Sequence, residues 1–221
     1  MTFSVLARDN ETGAIGGAAA TGSLCVGGWV LRGHLKAGIS ASQGAAPSTL
    51  WGEDILAAMQ SGLTAAEAVK TITSADRGRA HRQLAAVDLS GNAAAFTGER
   101  NEDVKGSVIF PSGVASGNML GSEAVLSAMA EAAAKPVQGF EMRLLEALKA
   151  AHDAGSDFRG LLSAALLILH PDRPPLTLRF VYLADDPFGA LVHLYLMATS
   201  GDYADWAQQV PVASDKERVL D

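Results

Sequence analysis

The second residue of the chain is a threonine, Thr2, directly behind the initiator Met1. Once Met1 is removed, one residue carries both a hydroxyl nucleophile and a free α-amine. Such an amine, with a pKa of about 7.7–8.0, is partly neutral near pH 7 and can take the hydroxyl proton directly or through water. No histidine is needed for that pairing, and the small threonine side chain suits removal of Met1. The chemistry is acyl transfer, and its developing oxyanion needs hydrogen-bond donors. Asn118, in the glycine-flanked run Gly117–Gly121, is the first candidate; Gln43, next to Ser42, is the second. Thr97, followed by Gly98, lines the same cleft if two sheets face one another. Asn118 also has an ordinary alternative, since asparagine in such a loop satisfies local backbone groups.

Other chemistries have less behind them. The phosphate-binding, dinucleotide-binding and G-x-S-x-G patterns are missing from the sequence, and the five histidines are dispersed without metal-ligand spacing. Neither a metal nor another cofactor is implied. Ser4 and the lone Cys25 are alternative nucleophiles, although Cys25, among Leu24, Val26 and Gly27, reads more simply as a small buried hydrophobe. Asp185 and Asp186 precede Pro187 and read as the cap of a helix rather than a cation site. The basic run Arg77, Arg79 and Arg82 is either a carboxylate-recognising turn or a solvated one.

The elements that must position Thr2 begin with Thr2 itself. An apolar run leads to the turn residues Asp9–Gly13, then to an arm of small residues ending at Thr21 that lets neighbours approach closely. The same outline recurs at Leu84–Asp88, Ser90–Asn92 and Ala93–Thr97, so two similar hairpins are expected in one domain spanning residues 1–221. Short apolar runs at Ser23–Val30 and Ala37–Ser42 read as strands. Helices are expected from Pro47 or Ser48 to Gln60 and after Thr64, whose spacing to Glu67 is that of a capping box. Further strands are expected at Val108–Phe110, Ser163–Leu169 and Leu176–Leu183, the last two joined by a turn holding Pro171, Asp172, Pro174 and Pro175. Pro111–Ser122 reads as a Gly- and Ser-rich connection. Ser122 caps a helix that Pro136 ends, Gly139–Asp153 is another with Phe140, Leu144, Leu145 and Leu148 inward, and Pro187 opens the last. Grouped strands between helix pairs favour antiparallel sheets over a doubly wound fold, and two sheets face to face with helices outside bury every apolar face. The fold class is therefore α+β, a four-layer αββα sandwich.

Taken together, Thr2–Asp9, the run Arg82–Asp88 with Gly91, Phe96–Gly98, Gly117–Leu120 and Ser163–Leu167 resemble the bacterial family catalogued as domain of unknown function 1028. The resemblance implies the αββα sandwich of the N-terminal-nucleophile (Ntn) hydrolases, and the first hairpin is similar to the strand that begins at the nucleophilic threonine of isoaspartyl peptidase and asparaginase relatives. With Thr2 as nucleophile and base, the leading reading on that scaffold is an amidohydrolase of small amides, with Gln43, Thr97 and Asn118, singled out above, as its binding residues. A small-molecule-binding protein on the same scaffold is the alternative.

Composition narrows the partners. Across 221 residues, 24 acidic side chains outnumber 17 lysines and arginines, and no basic cluster is long enough for nucleic acid or an anionic membrane. The longest apolar runs are about half the length that spans a bilayer. With one cysteine and no leader pattern, a cytoplasmic protein acting on a small molecule is expected. The wide spread of apolar residues around the last helix predicts either a homodimer contact or a deep position in the fold.

Overall fold

The computed structural model describes residues 1–135, 139–155 and 160–220. Among these residues ten strands form two antiparallel sheets. The first four are β1 (Thr2–Arg8), β2 (Ile15–Thr21), β3 (Leu31–His34) and β4 (Gly38–Gly44). Then come β5 (Arg82–Asp88), β6 (Ala93–Thr97), β7 (Gly106–Phe110), β8 (Gly113–Asn118), β9 (Ser163–His170) and β10 (Arg173–Phe180). The strand order is β10-β9-β2-β1-β8-β7 in the six-stranded sheet and β3-β4-β5-β6 in the other. Among the described residues there are seven α-helices: α1 (Val26–Trp29), α2 (Thr49–Gln60), α3 (Ala65–Ser74), α4 (Ala124–Ala134), α5 (Phe140–Asp153), α6 (Pro187–Ala198) and α7 (Gly201–Ala207). The fold is α+β with antiparallel sheets, as the grouping of strands between helix pairs predicts.

The period of two along each strand sorts side chains between clusters. On β1, Phe3, Val5 and Ala7 join an apolar cluster with Leu144, Leu145 and Leu148 of α5 and Met129 of α4. Leu6 points the other way, to a cluster with Ile39 and Ala41 of β4, Ala85 and Val87 of β5, and Val114 of β8. A third cluster holds Leu84 and Ala86 of β5 with Trp51 and Ile55 of α2 and Ala68 and Val69 of α3. Each fully buried Leu or Phe contributes about 1.5–3 kcal/mol. The small residues of β2 make room for neighbouring side chains. A methyl group at Gly16 would sit 2.6 Å from Ile168 and 2.9 Å from Leu144, and one at Gly17 would sit 2.6 Å from Leu6.

The two similar hairpins fall in different sheets, β1–β2 in the larger and β5–β6 in the smaller. In each the acidic residue accepts from the turn: Asp9 from the amide of Thr12, and Asp88 from those of Ser90 and Asn92. Asp88 also accepts from Ala65 N, which ties the second turn to the start of α3. The expected capping box is present, with Thr64 and Glu67 bonded reciprocally, and Asp186 caps α6 through Gly189 N.

Several expectations are corrected. Ser23–Val30 is not a strand: its glycines allow the short helix α1, and Gly27 is packed against Ala165 and Arg179. Cys25 is exposed rather than buried, because it precedes α1 with φ of 60° and turns its side chain outward. The Gly- and Ser-rich Pro111–Ser122 contains β8, wholly buried between β1 and β7, where small residues fit a central strand. The β10 strand starts at Arg173 and includes Pro174 and Pro175, which lack a ladder donor; an edge strand with a register shift between Arg173 and Leu176 tolerates them. Helix α6 is not deep, since Leu196 and Met197 are exposed, and α7 lies beyond the expected elements. The helix stop assigned to Pro136 lies outside the described residues. No described helix is long and apolar enough to cross a membrane.

Candidate functional site

Register brings the polar residues into rows. Across the six-stranded sheet, Thr2 pairs with Asn118 on one side and Thr21 on the other, and Thr21 pairs with Ser163. Across the four-stranded sheet, Gln83 pairs with Gln43 and with Thr97. Residues in register share a face. Leu6 and Val114 on β1 and β8, and Ala41 and Ala85 on β4 and β5, lie on those same faces deeper in the inter-sheet cluster. The two rows therefore form one polar end of an otherwise apolar layer.

Gln83 joins the rows. Its Nε2 lies 2.8 Å from Thr97 Oγ1, 2.9 Å from Gly106 O and 3.0 Å from Gly117 O. Both carbonyls can only accept, so that end of the side chain must be the NH2 and the other the carbonyl oxygen. Gln83 Oε1 then accepts from Gln43 Nε2 at 2.7 Å and from Asn118 Nδ2 at 3.3 Å. Two glycine carbonyls thereby set the orientation of three amides. Gln43 Oε1 is left buried without a partner among the described residues, as is Ser4 Oγ.

The Thr2 hydroxyl is 3.0 Å from that of Thr21. Thr21 donates its own proton to the carbonyl of Met1, so in the pair Thr2 is the donor. Met1 is only 4% exposed and its ammonium donates to Met119 Sδ at 3.4 Å. Beside this pair lies a cavity of about 410 Å³ to which Thr2, Thr21 and Gln43 all contribute. Its outer wall is the segment containing Ser23, Leu24 and Trp29, held by Ser163, whose hydroxyl donates to Ser23 O at 2.8 Å and accepts from Val26 N at 3.1 Å. None of the described residues lining it is ionisable.

Of the residues singled out in the sequence, Thr2 and Gln43 border the cavity. Asn118 is Thr2's neighbour in the sheet, on β8 rather than in a loop, and Thr97 stands at the far end of the other row; both reach Gln43 through Gln83. Ser42 faces the opposite way, donating to Ser48 O at 2.7 Å at the start of α2. Ser4 is buried, and Cys25 is not among the cavity's lining residues. The basic turn is used in packing: Arg82 pairs with Asp76, and Arg79 lies 4.7 Å above the Phe96 ring. No group of three or more His, Cys, Asp or Glu among the described residues is placed to hold a metal ion.

Sequence reasoning missed Gln83 and Thr21. The signal was available: in Arg82–Asp88, Gln83 occupies the same alternating face as Ala85 and Val87, a polar residue on an apolar stripe.

The family of unknown function DUF1028 matches residues 2–191. The structure is similar to the crystal structure of protein SPO2555 from Silicibacter pomeroyi, a protein of family model DUF1028, at a TM-score of 0.97 and 67% identity, covering 100% of this chain and 96% of that one. No curated protein matches the sequence.

Proposed function

The chain belongs to the family of unknown function DUF1028, and from that premise we propose that it is an Ntn-type amidohydrolase that cleaves a small amide, with Thr2 as nucleophile and base once Met1 has been removed. In support of the αββα scaffold, α2 and α3 pack on the four-stranded sheet, one apolar cluster lies between the sheets, and α4, α5 and α6 pack on the six-stranded sheet. The observation that carries the activity is that the Thr2 hydroxyl borders a cavity at the polar end of the inter-sheet layer, paired with Thr21 and beside Gln43. Thr2 Oγ1 attacks the amide carbonyl carbon while its proton passes to the α-amine. The amine returns that proton to the leaving nitrogen as the C–N bond breaks, and water hydrolyses the resulting ester. Loss of Met1 also frees the Thr21 hydroxyl from the Met1 carbonyl, leaving it beside the new amine.

The second reading, a binding protein without covalent chemistry, draws on the burial of Met1: a chain that keeps it has the cavity but no amine at Thr2. The intact mass of untagged protein, combined with turnover of a panel of small amides by wild type and Thr2→Ala, separates the two. Loss of one methionine and turnover abolished in folded Thr2→Ala are expected. Retained Met1, or equal rates in the variant, refutes the amidohydrolase. Helix α6, with Leu196 and Met197 exposed, is the surface we assign to a homodimer, and a monomer by sedimentation at micromolar concentration refutes that assignment.

A further inference from the structure

We propose, resting on the reading of the Thr2 cavity as the substrate site, that its ligand carries no formal charge where it meets Thr2 and is an uncharged carboxamide bearing a flat or aliphatic group. Three observations converge on this. The described lining residues include no ionisable side chain, and the two polar rows behind them are hydroxyls and amides only, so when the Thr2 α-amine is neutral, the form that acts as base, a ligand carboxylate or ammonium would be stripped of water with no counter-charge. Among that network, Gln43 is buried with Oε1 unpartnered, an acceptor left over after the carbonyls of Gly106 and Gly117 have oriented Gln83. The N–H of a carboxamide is an uncharged donor suited to it, and the carbonyl oxygen of the same group suits the hydroxyl of Thr21, which the loss of Met1 frees. At the mouth, Leu24 and Trp29 are 55% and 52% exposed, a pair of apolar side chains that can cover the remainder of such a molecule.

Three probes of one shape and different charge test this at about pH 9, where the α-amine is neutral: benzamide, benzoate and benzamidinium. Binding is followed by NMR at the Trp29 indole N–H and the Gln43 side-chain amide in Thr2→Ala protein, so that hydrolysis plays no part. Benzamide is expected to bind about tenfold or more tightly than either ion, to shift both signals, and to weaken severalfold when Trp29→Ala, an exposed position, is added. An ion that binds as tightly as benzamide overturns the proposal, as does an absence of benzamide binding at millimolar concentration or binding that Trp29→Ala leaves unchanged. Failure of the hydrolase reading looks different: benzamide binds as expected, yet protein lacking Met1 turns over no amide.

Discussion

Replacing Gln83 by leucine removes the side chain on which both polar rows depend while keeping its approximate volume. Gln83 is fully buried; it accepts two hydrogen bonds, from Gln43 and Asn118, and its two amide hydrogens are shared among Thr97, Gly106 and Gly117. At most four full bonds are lost, and at about 1 kcal/mol each the variant should be destabilised by about 3–4 kcal/mol after the added apolar burial is counted. That is a large share of the 5–15 kcal/mol typical of a folded protein, and corresponds to roughly 6–16 °C in Tm for a chain of this size. Guanidinium unfolding, with midpoint and slope compared against wild type, measures it. The origin of the loss is checked by adding Gln43→Met. In the Gln83→Leu background this removes a stranded donor and an acceptor that was already unpartnered, so the double variant should recover about 1 kcal/mol. A Gln83→Leu variant within about 1 kcal/mol of wild type, or a double variant destabilised by the full sum of the single changes, refutes the claim that this amide organises the site.

The remaining expectations concern other parts of the fold. Cys25 is exposed and should react with one equivalent of a thiol reagent in the native state at nearly the rate seen in denaturant; strong protection would contradict its placement. Gly38 has φ of 131°, and a methyl group there would lie 2.2 Å from Val87 O, so Gly38→Ala should be destabilised by at least about 2 kcal/mol, read by thermal melting. Hydrogen bonds from the backbone and then the side chain of Thr64 hold the Glu67 carboxyl below its ordinary pKa. This cap therefore favours folding above the ordinary glutamate range and is lost as pH falls through the lowered value. Melting of Glu67→Gln against wild type across mildly acidic pH should show the difference between the two shrinking as pH falls, and a difference independent of pH would contradict it.

The outline of the fold was legible because it depends on local patterns. Alternation and turn residues marked β1–β2 and β5–β6, Ser48 and the Thr64–Glu67 spacing marked the starts of α2 and α3, and the apolar spacing of Phe140, Leu144 and Leu148 marked α5. Local pattern failed where a neighbour supplied the reason for a conformation. Gly113–Asn118 carries few strand formers, yet it is a central strand because β1 and β7 satisfy its backbone on both sides. Pro174 and Pro175 can occupy β10 because no described strand lies beyond that edge, a fact of sheet order and not of the residues themselves.

The site divides in the same way. By itself the sequence determined that a hydroxyl residue stands directly behind Met1 at the head of a strand, and that Gln43 and Thr97 are polar residues near strand ends, since these follow from residue type and position along the chain; it placed Asn118 in a loop, where the structure has the end of β8. Only the tertiary structure decided which of them meet. Pairing register placed Asn118, Thr2 and Thr21 side by side, the packing of two sheets set Gln83 against them, and the burial of Met1 put its carbonyl on Thr21. Each contact joins residues about 20 to more than 100 positions apart, and no local propensity carries information across such separations.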